Sequence, residues 1–392
     1  MTNRKILILY ASYGDGHIQV SRALKERFEA EEAPCEAVLV DLFAEAYPFL
    51  NELTKYIYIK SYSLFPGLYG WTYNRTRFMR SGTPFSNWFH SWGMAELKRI
   101  LQKDQPDCVI NTFPMLAMPE LKKKTGLHLP VFHVITDFTL HSRWIHPFVD
   151  KYYVACDDIK AQLAASGIPE TRIEATGIPL KRDFRVIPRS PELYRKYGLN
   201  PDRRTVLIMA GSYGVLPGLG DICARLTGIP DTQLVLVCGK NRPLFEAMNE
   251  ALKGEANAKV FGFVQEMNEL MAVADAMVTK PGGITLTESI QYELPVVLFR
   301  PVPGQENDNA LYLASKKAAF ISRDETDLTK MIGKLLTDPH WIAETKKNIS
   351  ALRKPDSAEA VVRDILHTLE LTHRMDGMPS IDRRRVASER FP

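Results

Sequence analysis

Two short clusters in this 392-residue chain carry side chains suited to proton transfer. Ser12-Tyr13-Gly14-Asp15-Gly16-His17 ends on a histidine, and Ile135-Thr136-Asp137-Phe138 holds a carboxylate. The unperturbed pKa of histidine is near neutral, and a position at a helix N-terminus disfavours its charged form, so His17 is available as a base. Asp137 is the other candidate, and the residues alone leave open which of the two takes the proton. The blander alternatives are a helix-capping Asp137 and a structural His17. A third cluster, Lys280-Pro281-Gly282-Gly283, suits an anion: glycines let backbone N–H groups approach it, and a following helix N-terminus adds partial positive charge. Glu288 then falls inside that helix, where a carboxylate can accept from a ribose diol. Taken alone, Gly-Gly reads equally well as a tight turn. A polar loop from Arg300 to Asn307 adds Gln305, Glu306 and, just beyond, Asn309, groups suited to sugar hydroxyls. Gly211-Ser212-Tyr213-Gly214 is positioned to touch phosphates or the reacting centre.

Each cluster follows a short apolar run. Lys5 to Tyr10 is near-continuously apolar and leads through a glycine-containing turn into an amphipathic stretch, Ile18 to Ala30, a strand, loop and helix. Ala37 to Val40, Cys108 to Asn111, Val131 to Thr136 and Tyr152 to Ala155 repeat the pattern, as strands buried on both faces should. The rhythm restarts at Thr205 to Ala210 and continues through Gln233 to Cys238, Ala276 to Lys280 and Val296 to Phe299. The expected fold is α/β: two Rossmann-like, doubly wound domains facing a cleft, with ligand at the strand C-termini. Residues 1–185 form the first domain, the proline- and charge-rich stretch 186–204 a linker, 205–370 the second domain, and 371–392 a basic, flexible tail.

Composition narrows the class. Apolar residues at 45 % and charged residues at 24 % describe a globular chain, and no run approaches the roughly 20 apolar residues of a membrane helix. No signal peptide is read at the start. The five cysteines show no metal-ligand spacing and suit reduced, buried thiols in the cytoplasm. A net charge of +4 does not call for nucleic acid. The charge is uneven, however. Tyr56 to Trp92 holds twelve aromatic residues, among them Tyr62, Trp71 and Trp88, with Lys55, Lys60, Arg75, Arg77 and Arg80 in or beside it and only Glu52 nearby to oppose them. This is an interfacial composition, expected to rest on anionic membrane lipids, although an aromatic satellite core would read the same way. Gly14, Gly16 and Trp144 are expected on the acceptor side; His141 and His146, flanking Trp144, suit contact with acceptor or lipid headgroup, and a packed surface role fits them equally well.

In order along the chain, Gly14 to His17, Ile135 to Phe138, Ala210 to Gly214, Thr279 to Glu288 and Pro301 to Ala310 resemble the family of monogalactosyldiacylglycerol synthases and processive diacylglycerol glucosyltransferases, in glycosyltransferase family 28. Ile110 to Met115 and the aromatic segment tie the resemblance to the lipid-glycosylating branch. It spans nearly the whole chain up to about residue 370. The resemblance implies the glycosyltransferase B fold and an inverting transfer that needs no metal or cofactor. The implied substrates are UDP-glucose and 1,2-diacylglycerol, and the implied place is the cytoplasmic face of the cell membrane, where the enzyme is peripheral. The implied product is β-glucosyl diacylglycerol, a glycolipid and lipoteichoic-acid anchor, extended in some members by further glucose. It implies Glu288 at the ribose, Gly282 and Gly283 at the diphosphate, Gln305 with Glu306 at the hexose, and Gly211 with Ser212 beside the phosphates. It also supports His17 as base or acceptor ligand. The alternatives are a UDP-galactose-dependent monogalactosyldiacylglycerol synthase, a nucleotide-sugar epimerase of the same fold and a non-catalytic sensor. A dinucleotide oxidoreductase is disfavoured because neither glycine loop spells G-x-G-x-x-G. The sequence specifies no oligomeric state.

Overall fold

The computed structural model describes residues 4–12, 14–31, 35–49, 93–212, 214, 216 and 218–376. The chain divides into two compact units, each built on a six-stranded parallel sheet flanked by helices. In the first unit the strands are β1 (Arg4–Tyr10), β2 (Cys35–Asp41), β3 (Cys108–Asn111), β4 (Val131–Val134), β5 (Lys151–Tyr153) and β6 (Ile173–Glu174). Their order across the sheet is β2-β1-β3-β4-β5-β6. The second unit has β7 (Arg204–Met209), β8 (Thr232–Val237), β9 (Ala258–Phe261), β10 (Ala276–Thr279), β11 (Val296–Phe299) and β12 (Ala319–Ser322), in the order β12-β11-β10-β7-β8-β9. The inner strands are buried along nearly their whole length and mostly apolar because helices cover both faces of each sheet.

Strand order reverses between β1 and β3 in one sheet and between β7 and β10 in the other. Helices leave opposite faces at such a point, so a crevice opens beyond the strand C-termini. His17 follows β1, and Gly211 and Lys280 follow β7 and β10. The loops of His17, Gly211 and Lys280 therefore sit at the two topological switch points, while Asp137 follows β4 and Gln305 with Glu306 follows β11.

The domain boundaries differ from those expected. The second unit runs Asp183–Arg353, and the chain from Lys354 returns to the first unit. The helix Ser357–Asp376 buries Val361, Val362, Ile365 and Leu369 there. Its Asp364 accepts from the Tyr153 hydroxyl at 2.7 Å and from Lys151 Nζ at 2.9 Å, both on β5. An apolar helical stripe in a sequence does not say which core it will join, and this one packs on the first unit and not the second. The stretch expected as linker, 186–204, contains the helix Pro191–Tyr197 and the first residue of β7. Leu193, Tyr194 and Tyr197 of that helix are buried, and Arg189 donates to the carbonyls of Ala272 and Ala274 at 3.1 and 2.8 Å. Proline at its first turn is pre-set for the helical φ, so here it starts an element where its density suggested a spacer.

Candidate functional site

In the first unit the loop after β1 is pinned at its start: the Ser12 N–H donates to Asp41 Oδ2 at 3.0 Å. Gly14 caps the helix Asp15–Glu29 in extended geometry, Gly16 lies in its first turn, and His17 is its third residue. A Cβ placed on Gly14 would meet nothing within 4 Å.

The His17 ring is partly buried, edge-on to Phe113 with centroids 5.0 Å apart. Its Nδ1 lies 2.7 Å from the Thr112 carbonyl oxygen and 3.0 Å from Thr136 Oγ1. A carbonyl only accepts, so Nδ1 carries the proton and Nε2 holds the lone pair. Thr136, on the same Nδ1–H, is then a second acceptor. Burial pulls the pKa of His17 below the ordinary value; the negative charge of buried Asp137, and next the Thr112 bond, pull it back up. The ring is thus neutral at pH 7, can take a proton at Nε2, and has an anion nearby to stabilise the imidazolium that results. Thr112, whose carbonyl sets this tautomer, and Thr136, whose hydroxyl follows it, were not singled out from the sequence. Thr136 adjoins Asp137, and Thr112 stands in the Ile110 to Met115 stretch that had served only as a family mark.

Behind this group the wall is structural. His133 on β4 donates from Nδ1 to the Trp144 carbonyl at 3.1 Å and accepts at Nε2 from Asn111 Nδ2 at 2.8 Å. Complete burial lowers its pKa to about 3. Trp144 is 2 % exposed and packs edge-on against His133, so its place is the core and the expected lipid-facing role is corrected. His141 is buried as well, its Nδ1 accepting from the Arg143 N–H at 3.1 Å. His146 is held between the Phe148 N–H and Glu120. Trp144 follows the polar run His141-Ser142-Arg143, and the turn Ser142–Trp144 ends with the indole buried. Tyr62, Trp71, Arg75, Arg77, Arg80 and Trp88 lie outside the described residues.

In the second unit, Thr279 Oγ1 at the end of β10 reaches the Met209 carbonyl at the end of β7, 3.4 Å away. Gly211 and Gly214 adopt φ of +79° and +63°, conformations that favour glycine, and the Gly214 N–H closes the turn on the Gly211 carbonyl at 3.0 Å. The loop after β8 cradles this turn. The Lys240 N–H donates to the Ser212 carbonyl at 2.9 Å, and Asn241 Nδ2 to the Gly214 carbonyl at 3.2 Å. A Cβ on Gly239 would stand 2.5 Å from the Gly211 oxygen. Lys240 and Asn241 are supporting residues that the sequence did not flag, since the contact joins two loops distant along the chain.

After β10, Gly282 caps the helix Gly283–Gln291 with φ −74° and no side-chain cap. A Cβ there would meet nothing within 4 Å, so the first-turn amides border open space. Burial lowers the pKa of the Lys280 ammonium, and the charge of Glu306 opposes that shift. Lys280, Gly282, Gly283 and Glu306 are thereby brought together. Glu306 Oε2 is buried with no hydrogen-bond partner among the described residues. An unsatisfied carboxylate oxygen is costly and well matched to a hydroxyl donor. Gln305 opens the helix Gln305–Ser315 beside it, and Glu288 lies partly buried in the second turn of its own helix. Asn309, expected to face sugar, is fully buried, and its Nδ2 donates to the Pro281 carbonyl at 3.2 Å. It braces the Lys280 to Gly283 loop from behind.

Two family descriptions match: monogalactosyldiacylglycerol (MGDG) synthase over residues 17–180, and the glycosyltransferase family 28 C-terminal domain over residues 205–361. A processive diacylglycerol beta-glucosyltransferase of Bacillus cytotoxicus is 40 % identical over 365 residues, 93 % of this chain and 94 % of that one. Its namesake in Bacillus cereus strain AH187 is 40 % identical over 369 residues, with the same coverage of each. Among solved structures, Acinetobacter baumannii MurG superposes with a TM-score of 0.63 at 16 % identity, covering 93 % of this chain and 99 % of its own. The Staphylococcus aureus MnaA–UDP complex gives 0.62 at 13 %, covering 94 % and 97 %. At those identities the two structures bear on the fold alone, which is the two-domain α/β architecture of the B-type glycosyltransferases.

Proposed function

The chain belongs to the family of monogalactosyldiacylglycerol synthases and processive diacylglycerol beta-glucosyltransferases, and from that premise we propose that it moves glucose from UDP-glucose to 1,2-diacylglycerol with inversion. The observation that carries the chemical part is the His17 imidazole, its Nδ1–H committed to the Thr112 carbonyl and its Nε2 basic. In the proposed step Nε2 takes the proton of the diacylglycerol hydroxyl while that oxygen attacks the anomeric carbon. The bond from that carbon to UDP breaks, and its electron pair leaves on the β-phosphate. Asp137 stabilises the imidazolium. The amides at Gly282 and Gly283, the helix dipole and Lys280 take the growing diphosphate charge, so no metal is required. Gly211 and Ser212 border the phosphates, Glu288 holds the ribose, and Gln305 and Glu306 hold the hexose.

Glucose rather than galactose is favoured by the relatives at 40 % identity, whose names specify a glucosyltransferase. The galactose reading is supported by the family description matching residues 17–180. Transfer is favoured over epimerisation because that sequence similarity covers 93 % of the chain. Addition of further glucose units, giving a lipoteichoic-acid anchor, is part of the proposal. So is peripheral attachment at the cytoplasmic face of the membrane through anionic lipids: no described helix is long and apolar enough to cross a bilayer, and Tyr56 to Trp92 supplies aromatic and basic residues.

The test is incubation of the purified protein with radiolabelled UDP-glucose or UDP-galactose and diacylglycerol vesicles, with and without EDTA, followed by lipid extraction. Labelled glucosyl diacylglycerol formed equally in EDTA is the expected result. Label from UDP-galactose alone moves the assignment to the galactose reading, and no labelled lipid from either donor refutes lipid glycosylation.

A further inference from the structure

Behind the base lies a closed circuit of hydrogen bonds in which no substrate takes part. Ser21, one turn beyond His17 on the same helix, is fully buried, as is Thr112 at the end of β3. Ser21 Oγ donates to the His17 carbonyl at 2.8 Å and lies 2.7 Å from Thr112 Oγ1. The Thr112 hydroxyl also lies 3.4 Å from the Leu9 carbonyl and 3.5 Å from the His17 carbonyl, so whichever hydroxyl supplies the proton between them, the other has a carbonyl to donate to. The circuit closes through the Thr112 carbonyl, which accepts from His17 Nδ1. The Thr112 N–H is held in turn by the Leu9 carbonyl of β1 at 3.0 Å. A serine bonded back to the carbonyl one turn earlier is common in helices and means little alone. Here the same hydroxyl also locks the helix to the end of the neighbouring strand, out of reach of water.

We propose that Ser21 and Thr112 are positioning residues of the transfer, a buried brace that holds His17 in the Nδ1–H tautomer and so keeps Nε2 basic. The inference rests on reading His17 as the base. Thr136 gives it consequence. Its hydroxyl is 3.0 Å from the same Nδ1. If the Thr112 carbonyl withdraws, Thr136 is placed to donate to Nδ1. The ring proton then moves to Nε2 and the base is lost.

The experiment combines kinetics with 15N NMR of histidine-labelled protein, which distinguishes protonated from unprotonated ring nitrogens. Wild type is expected to show Nδ1–H at His17, identified by loss of its signal in His17→Gln. In Thr112→Val and Ser21→Ala, kcat is expected to fall about tenfold or more, since removal of a general base altogether costs 10²–10⁴-fold. KM for UDP-glucose stays within about twofold, because the donor groups are untouched. The His17 signal shifts toward Nε2–H. Thr112→Ser restores both readouts, and adding Thr136→Val to Thr112→Val restores the tautomer by removing the competing donor. Should Thr112→Val fail to fold, Ser21→Ala carries the test. Nε2–H in the wild type, or a fall in kcat with the tautomer unmoved, overturns the brace. The NMR readout needs no turnover, so a tautomer that shifts as expected in a protein that glycosylates no lipid refutes the transfer reading and leaves the brace standing.

Discussion

Replacing Gly282 by alanine separates ligand binding from folding more cleanly than truncating a side chain would. Its φ of −74° is ordinary for any L-residue, and the added methyl meets no protein atom within 4 Å. Two effects on stability oppose each other. Alanine is a poorer N-cap than glycine, by a few tenths to about 1 kcal/mol, whereas loss of glycine freedom in the unfolded chain returns about 0.4–1 kcal/mol. The net change is expected to be under about 1 kcal/mol, a shift of Tm of a few degrees at most. The methyl does intrude on the space bordered by the first-turn amides of the helix Gly283–Gln291. Displacing a diphosphate from one charge-assisted hydrogen bond costs about 1.5–3 kcal/mol, which is roughly 10- to 150-fold in Kd. Titration calorimetry with UDP, alongside thermal unfolding of both proteins without ligand, makes the comparison. UDP affinity unchanged in a variant of normal Tm would refute the placement of the diphosphate at Gly282. A large fall in Tm would refute the claim that the space is open.

Four further outcomes are expected. His17→Ala should lower kcat by about 10²–10⁴-fold while titration calorimetry shows UDP still binding. In the active enzyme, protonation of His17 switches activity off as pH falls, with the acid limb below the ordinary histidine value because burial lowers the pKa. Asp137→Asn removes the charge that opposes this, so the limb should move further down; an upward movement would contradict the electrostatics. Asn309→Ala leaves the Pro281 carbonyl without its brace, and KM for UDP-glucose should rise by about fivefold or more, for the 1–3 kcal/mol cost of an unpaired buried group, with little change in kcat. Finally, His133 has a folded pKa near 3 against about 6.5 unfolded, so below pH 6.5 the unfolded chain binds a proton that the folded one refuses. Stability from this group should be intact at pH 7 and fall by about 2 kcal/mol by pH 5, measured as the difference in urea unfolding between wild type and His133→Gln.

How much was legible in the sequence follows from where each residue sits in its sheet. β3 and β11 were read to the residue, and β1, β7, β8 and β10 to within one residue at each end, because central parallel strands are apolar on both faces and stand out as unbroken runs. β6, β9 and β12 were missed. All three are edge strands and only partly buried, so no continuous apolar run marks them. The loop at Gly211 was legible for a related reason: backbone that turns sharply into the left-handed region needs glycine whatever surrounds it, and Gly211 has φ of +79°.

Sequence by itself therefore determined the two parallel sheets, the loops at their switch points and the identity of the groups that can do the chemistry. These are properties of local composition and chain order. Tertiary structure alone decided that the helix Ser357–Asp376 closes the first core, that Trp144 faces inward and that Asn309 is buried and braces the Lys280 to Gly283 loop. It also decided the state of His17. Nothing near His17 in the chain specifies which nitrogen carries the proton; that is set by a carbonyl 95 residues away, brought within 2.7 Å by the pairing of β1 with β3. A proton's position depends on what the ring touches, and contact between distant segments exists only once the chain has folded.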